Sequence, residues 1–142
     1  MEKQLNHLLA DFVVEYHKLQ NFHWYVKGKD FFPVHEKLEE YYDALNEAID
    51  EIAECILMLG GKPLASLKDF IAASSIEEAS ASYISSEDIF TQVTKDFTYL
   101  LEEVTSIKKA ADEKEVFIVS AKMDNYIEHF TKALWMISQQ QA

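Results

Sequence analysis

The chain has 142 residues, a length that suits one domain with one hydrophobic core. Apolar residues make up 49% of it, with only 3 Gly and 2 Pro, so the composition favours long helices over a turn-rich β fold. Its 25 acidic and 13 basic residues give a formal net charge of −12, which opposes binding to phosphate backbones and attracts cations.

Apolar residues spaced three and four apart over residues 5–23 predict a first long helix with one inward face. Gly28 should mark the end of this helix, and Pro33 should lie in the first turn of the next one. The same periodicity continues over residues 34–59 and stops at Gly60 and Gly61. The first two helices are therefore expected to form a hairpin.

The periodicity weakens over residues 62–86, although apolar residues at 64, 67, 70 and 71 predict a short helix there. Ser86, followed by two acidic residues, has the pattern of an N-cap and opens a third helix. The apolar stripe of that helix covers residues 90–107, and a break at 111–115 precedes a fourth helix over 116–137.

Two helical hairpins joined by a long crossover describe an all-α, ferritin-like four-helix bundle with a short helix between the second and third long helices. Residues 1–142 are expected to form a single domain of this kind. We expect a cytoplasmic protein without membrane contact, because there is neither a signal-like amino terminus nor an apolar run long enough to span a bilayer. The lone Cys55 is expected to be a buried thiol.

The second helix carries two pairs of possible metal ligands, each spaced four residues apart: His35 with Glu39, and Asp50 with Glu54. This spacing places both members of a pair on one helix face. From Glu39 to Asp50 the direction changes by only about 20°, but the helical rise separates them by about 16 Å. One helix cannot wrap both pairs around one ion, whereas two antiparallel copies related by a two-fold axis could do so.

His23, on the inward face of the first helix, could add a further imidazole to the first pair. Ordinary explanations compete, because a histidine on an apolar face is often a hydrogen-bonded core residue and acidic helix pairs are mostly solvated. The midpoint of the two pairs falls near Ala44 and Leu45, with Ala48 one turn on, and small residues there are expected to let the partner helices approach. No histidine follows a glutamate by three residues, so an intrachain di-iron centre is not expected.

Three segments of the chain, residues 21–28, 31–42 and 49–54, closely resemble the signature of the Dps family, the mini-ferritins. They contain a His-Trp pair at His23, a His-Glu pair twelve residues later at His35, and an Asp-x-x-Ala-Glu segment that ends at Glu54. The resemblance covers the first two helices in detail, and the chain length and helix layout match the rest.

The resemblance implies that five residues bind the metal and carry the catalysis at a two-fold interface. They are His23, His35 and Glu39 of one chain with Asp50 and Glu54 of its partner. Two positions depart from the family pattern, which often has Asp at position 39 and usually has Arg where Cys55 stands. The missing Arg removes a charged partner from the surroundings of the metal.

The resemblance further implies a hollow dodecamer that acts as a ferroxidase, oxidising Fe²⁺ with hydrogen peroxide and storing ferric mineral as protection against oxidative stress. Two iron ions are possible at each intersubunit site, and Zn²⁺ would compete for it. Two alternatives remain, a DNA-compacting protein and a non-catalytic assembly scaffold. The net charge and the lack of a basic arm at either end make DNA binding unexpected, and a metal titration would distinguish the scaffold.

Overall fold

A computed structural model describes residues 1–142 of the chain and contains five helices. They are α1 (Glu2–Tyr25), α2 (Phe31–Met58), α3 (Leu67–Ala73), α4 (Ser86–Glu113) and α5 (Phe117–Gln140). The helix α1 packs mainly on α2 and α4 mainly on α5, while the short α3 packs on α1. The predicted all-α bundle of two hairpins, with a short helix in the crossover, is therefore confirmed. None of the helices is long and apolar enough to cross a membrane.

The turn between α1 and α2 contacts the segment that leads into α4. The helix ends at Tyr25, before the predicted stop at Gly28, because Val26 is extended and pairs with Ile84 in an isolated parallel bridge. The N–H of Lys27 donates to the Ile84 carbonyl at 3.0 Å. Gly28 then takes a φ of +142°, which suits a glycine in the turn.

The boundaries of α4 differ from those predicted at both ends. The N-cap is Ser85 rather than Ser86, since the Ser85 hydroxyl accepts the backbone N–H of Asp88 at 3.2 Å. The hydroxyl of Ser86 donates instead to Asp30, which lies at the start of α2. At its other end α4 continues through the predicted break as far as Glu113, with Ala111 fully buried.

One continuous hydrophobic core is shared by the four long helices. Its largest fully buried side chains are the phenylalanines Phe12, Phe22, Phe90, Phe97 and Phe130. The predicted stripe of α4 is buried throughout, whereas Leu59, predicted for the inward stripe of α2, lies beyond the end of that helix and is 42% exposed. Cys55 is fully buried, as predicted, and burial raises the pKa of its thiol.

Three buried ionisable side chains lie between α1 and α4. The ammonium group of Lys18 lies 2.8 Å from Oδ2 of Asp96, and both side chains are less than a tenth exposed. Glu15 is fully buried, and neither of its carboxylate oxygens accepts a hydrogen bond. Burial, followed by the neighbouring charge of Asp96, raises the pKa of the Glu15 carboxyl well above its usual value. The fold therefore favours the protonated, neutral form of the Glu15 carboxyl over its carboxylate.

We expect the substitution Glu15→Gln to stabilise the protein more at pH 8 than at pH 5. The folded state keeps its proton on Glu15 where the unfolded chain has already lost it, near pH 4.3. Stability therefore falls as the pH rises above that value, by up to about 1.4 kcal/mol per pH unit. Glutamine does not titrate, and its amide can donate to Asp96.

Thermal unfolding followed by circular dichroism at the two pH values measures this difference. The exposed Glu102, replaced by Gln on α4, controls for the loss of one carboxylate. An equal rise in melting temperature at both pH values would mean that Glu15 ionises normally in the folded protein.

Candidate metal centre

The hairpin of α1 and α2 brings three of the five predicted ligands together. His23 lies near the end of α1 and His35 near the start of α2, and their imidazole rings stack with centroids 3.6 Å apart and planes 12° apart. Nε2 of His23 lies 3.7 Å from Oε1 of Glu39. Two imidazoles and one carboxylate from a single subunit therefore share one small region.

Reciprocal hydrogen bonds determine the tautomer of the two rings. Nδ1 of His23 lies 2.7 Å from the backbone oxygen of His35, and Nδ1 of His35 lies 2.8 Å from the backbone oxygen of His23. A carbonyl oxygen only accepts, so each Nδ1 must carry a proton and donate it. In a neutral imidazole the other nitrogen, Nε2, then keeps its lone pair. Both rings are thus held in the tautomer that binds a metal through Nε2.

Two aromatic rings pack against the imidazoles. Phe31 stacks on His35 at 4.8 Å between centroids, and Tyr42 meets the His23 ring edge-on at 5.3 Å. His23 is buried, whereas the side chain of Glu39 is 54% exposed. The group therefore has packed nitrogen donors at its base and a solvent-exposed carboxylate at its open side.

Asp50 and Glu54 lie further along α2 and are both exposed. Because α2 runs without interruption from Phe31 to Met58, the axial gap of about 16 Å between the two ligand pairs holds for the folded subunit. The structure therefore does not bring these two carboxylates to the imidazoles of their own chain. Their role as ligands for a partner chain stays a prediction.

The expectation that Ala48 lines the approach of a partner helix is wrong. Ala48 is buried in the core of its own subunit, and Ala44 is half-buried. The five helical steps from Glu39 to Ala44 turn the side-chain direction by about 140° away from the ligand face, although Ala44 lies near the axial midpoint. The exposed residues between the two ligand pairs on that face are Asp43 and Asn46.

A second cluster of ligand-type side chains was not predicted. His7 and Asp11 of α1 meet Glu103 of α4, and one nitrogen or oxygen atom from each lies within 4.8 Å of the others. Burial, followed by the neighbouring Asp11, raises the pKa of the Glu103 carboxyl to about 9. The spacing of His7 and Asp11 equals that of His35 and Glu39, which was the only sequence signal for this cluster.

Comparison with known families and curated relatives gives consistent results. The ferritin-like domain family matches residues 2–142. The DNA protection during starvation protein of Helicobacter pylori is 34% identical over 133 residues, which cover 94% of this chain and 92% of that protein. The DNA protection during starvation protein 2 of Bacillus anthracis is 39% identical over 133 residues, covering 94% and 90%.

Solved structures agree closely with this fold. Helicobacter cinaedi CAIP superposes with a TM-score of 0.96 at 35% identity, covering 99% of both chains. The Dps protein of Vibrio cholerae O1 has a TM-score of 0.95 at 33% identity, covering 99% of this chain and 88% of that one. It is described as a member of a broad superfamily of ferritin-like diiron-carboxylate proteins. The predicted ferritin-like form of the bundle is confirmed.

Proposed function

Because this chain belongs to the Dps family of ferritin-like proteins, we propose that it is an iron-oxidising and iron-storing mini-ferritin. The family supports a role in iron handling and in protection against oxidative stress. The observation that carries the finer proposal is the pair of stacked imidazoles, His23 and His35, whose Nε2 atoms are left free for a metal beside the Glu39 carboxylate.

In this proposal Fe²⁺ is the substrate, and it binds between two subunits. His23 and His35 supply neutral nitrogen donors, and Glu39 supplies negative charge. Asp50 and Glu54 of the partner subunit complete the site. Imidazole and carboxylate donors suit Fe²⁺, and Zn²⁺ competes for the same atoms. The site has carboxylates for two iron ions.

The proposed reaction couples two ferrous ions to one molecule of hydrogen peroxide. Each Fe²⁺ gives up one electron. The peroxide accepts both electrons, its O–O bond breaks, and its two oxygen atoms are reduced to the oxidation level of water. No hydroxyl radical is released, because no single-electron reduction of peroxide occurs. The ferric product hydrolyses and is stored as mineral, with release of protons. Carboxylates around the site stabilise the added positive charge.

The exposed apolar side chains of the subunit support its assembly into a larger particle. Several large apolar side chains are exposed on it, among them Trp24, Phe32, Leu57, Met58, Phe117 and Trp135. Contiguous apolar surface is typical of protein interfaces, and Leu57 and Met58 are direct neighbours at the end of α2. We propose a hollow dodecamer in the cytoplasm, with a metal site at each two-fold interface.

The test combines particle mass with iron oxidation. Light scattering on a chromatographic peak should give roughly 200 kDa, twelve times the 16.4 kDa of one chain. In stopped-flow absorbance, the particle should oxidise Fe²⁺ much faster with hydrogen peroxide than with dissolved oxygen. A variant with His35→Ala and Glu39→Ala serves as the control without a site. Equal rates with the two oxidants, or a monomer at micromolar concentration, would contradict the proposal.

The names of several relatives refer to DNA protection, but we expect no DNA binding by this chain near neutral pH at physiological salt. Each subunit carries a net charge of −12 and no arginine, so an assembly of subunits repels the phosphate backbone. DNA would then be protected by the removal of iron and peroxide. Gel-shift assays without divalent metal measure this, and binding that weakens steeply with added salt would reveal a basic surface instead.

A further inference from the structure

We propose that each subunit holds a second divalent-cation site, built from His7, Asp11 and Glu103 and separate from the proposed ferroxidase centre. His7 and His23 lie sixteen residues apart on the same helix, which corresponds to about 24 Å along the axis. The two groups of ligands therefore cannot share an ion.

Three acceptor atoms converge in this cluster. Nδ1 of His7 lies 2.8 Å from Oε1 of Glu103 and 3.5 Å from Oδ2 of Asp11. The other ring nitrogen, Nε2, lies 3.0 Å from the hydroxyl of Ser75. When Nε2 donates its proton to that hydroxyl, the lone pair of Nδ1 faces two carboxylate oxygens. A cation between the three atoms would bind all of them.

A proton on Nδ1 of His7 would provide a hydrogen bond for only one of the acceptor atoms in the cluster. An imidazolium donates one hydrogen bond from Nδ1, and Oε1 of Glu103 is the closest acceptor. Oε2 of the same carboxylate is buried and has no hydrogen-bond partner, while the Glu103 side chain is only 11% exposed. A buried carboxyl oxygen without a partner is costly unless it carries a proton. A metal ion that displaces that proton and binds Glu103 through both oxygens would supply the missing partner.

Surrounding donors hold Asp11 in a fixed orientation. This side chain is fully buried, and its Oδ1 accepts from the hydroxyl of Ser74 at 2.7 Å and from the backbone N–H of Ser75 at 2.8 Å. Its Oδ2 accepts from the hydroxyl of Tyr99 at 2.7 Å. Such outer hydrogen bonds orient the carboxylates that bind metals. Asp11 is thus preorganised before any ion arrives.

A cleft of about 480 Å³ gives access to the cluster from solvent. It is lined by His7 and Glu103 together with Tyr99, Glu102 and Lys3. Three protein ligands leave coordination positions open for water from this cleft. One imidazole with two carboxylates suits a first-row divalent ion such as Mn²⁺, Fe²⁺, Co²⁺ or Zn²⁺ rather than Mg²⁺ or Ca²⁺, which prefer oxygen ligands alone.

Co²⁺ is the probe for the test, because its visible absorption reports coordination by protein ligands. The background is an assembled particle in which His35, Glu39, Asp50 and Glu54 are all replaced by Ala, so that the proposed ferroxidase centre is absent. Titration followed by absorbance and by metal analysis after gel filtration should give one Co²⁺ per subunit. In the same background, His7→Gln and Glu103→Gln should each abolish this binding.

The matched control is Glu102→Gln, an exposed neighbour on α4 that lines the same cleft and should keep the full stoichiometry. Absence of Co²⁺ from the background particle, or binding that survives both substitutions, would overturn the proposal. If the substituted particles fail to assemble, anomalous diffraction from wild-type crystals soaked in Co²⁺ decides the matter. A peak between His7, Asp11 and Glu103 is then expected, and no peak there would refute the site.

Discussion

Two variants of this chain that are each inactive alone should form active particles when they are expressed together. One carries His35→Ala and Glu39→Ala, and the other carries Asp50→Ala and Glu54→Ala. Each should assemble by itself and lose rapid iron oxidation, because both sites of a symmetric dimer then lack one half. The physical reason is the axial gap of about 16 Å between the two ligand pairs on the uninterrupted helix α2.

Pairing the two variants places all four substitutions in one site and leaves the other site of the dimer intact. With random pairing, half of the dimers are mixed and each has one working site of two, so roughly a quarter of wild-type activity should return. Activity should increase with the fraction of mixed dimers, which native mass spectrometry measures. Particles that contain both variants yet stay as inactive as either parent would place all the ligands within one chain.

The substitution Lys18→Met should destabilise the protein by about 3 kcal/mol or more, because it leaves the buried Asp96 without its cation. Glu15 beside it cannot replace that cation, because a carboxyl carries no positive charge in either protonation state. Thermal unfolding should show a fall in melting temperature of several degrees, together with a smaller yield of assembled particles. The double variant Lys18→Met with Asp96→Asn should recover most of the loss, since it removes the unpaired charge as well.

An exposed ion pair gives the comparison for this experiment. Lys37 lies 2.7 Å from Glu40 on the surface of α2, and both side chains are more than a third exposed. Pairs of this kind contribute about 0 to 1 kcal/mol, so Lys37→Met should change the melting temperature little. An equally small effect for Lys18→Met would show that water reaches the buried pair.

The sequence predicted the helices well because their signal is local. Apolar spacing identified all four long helices and the inward position of His23, and the relatives confirm the family that the motif indicated. Helix ends were less accurate where another segment decides them. Ile84 of the crossover stops α1, and no pattern within α1 itself could indicate a partner so distant in the chain.

The candidate sites were only partly predictable for the same reason. The resemblance to the Dps signature implied a site shared by His23 and His35, but their reciprocal bonds to backbone oxygens depend on how the hairpin turns. Charged residues at helical spacing look solvated, so the burial of Lys18 was not expected. His7 gained significance only once the fold placed Glu103 beside it, 96 residues along the chain.

The burial of Cys55 determines whether hydrogen peroxide, the proposed oxidant, would also oxidise the protein's own thiol. Peroxide attacks a thiolate far faster than a thiol. Burial raises the pKa of Cys55 and also removes its side chain from solvent, so at neutral pH the sulfur is uncharged and out of reach. Overoxidation to sulfinic acid and disulfide cross-links between chains are both blocked at this position. The chain has no other cysteine, so we expect repeated exposure to peroxide to leave its thiol unoxidised.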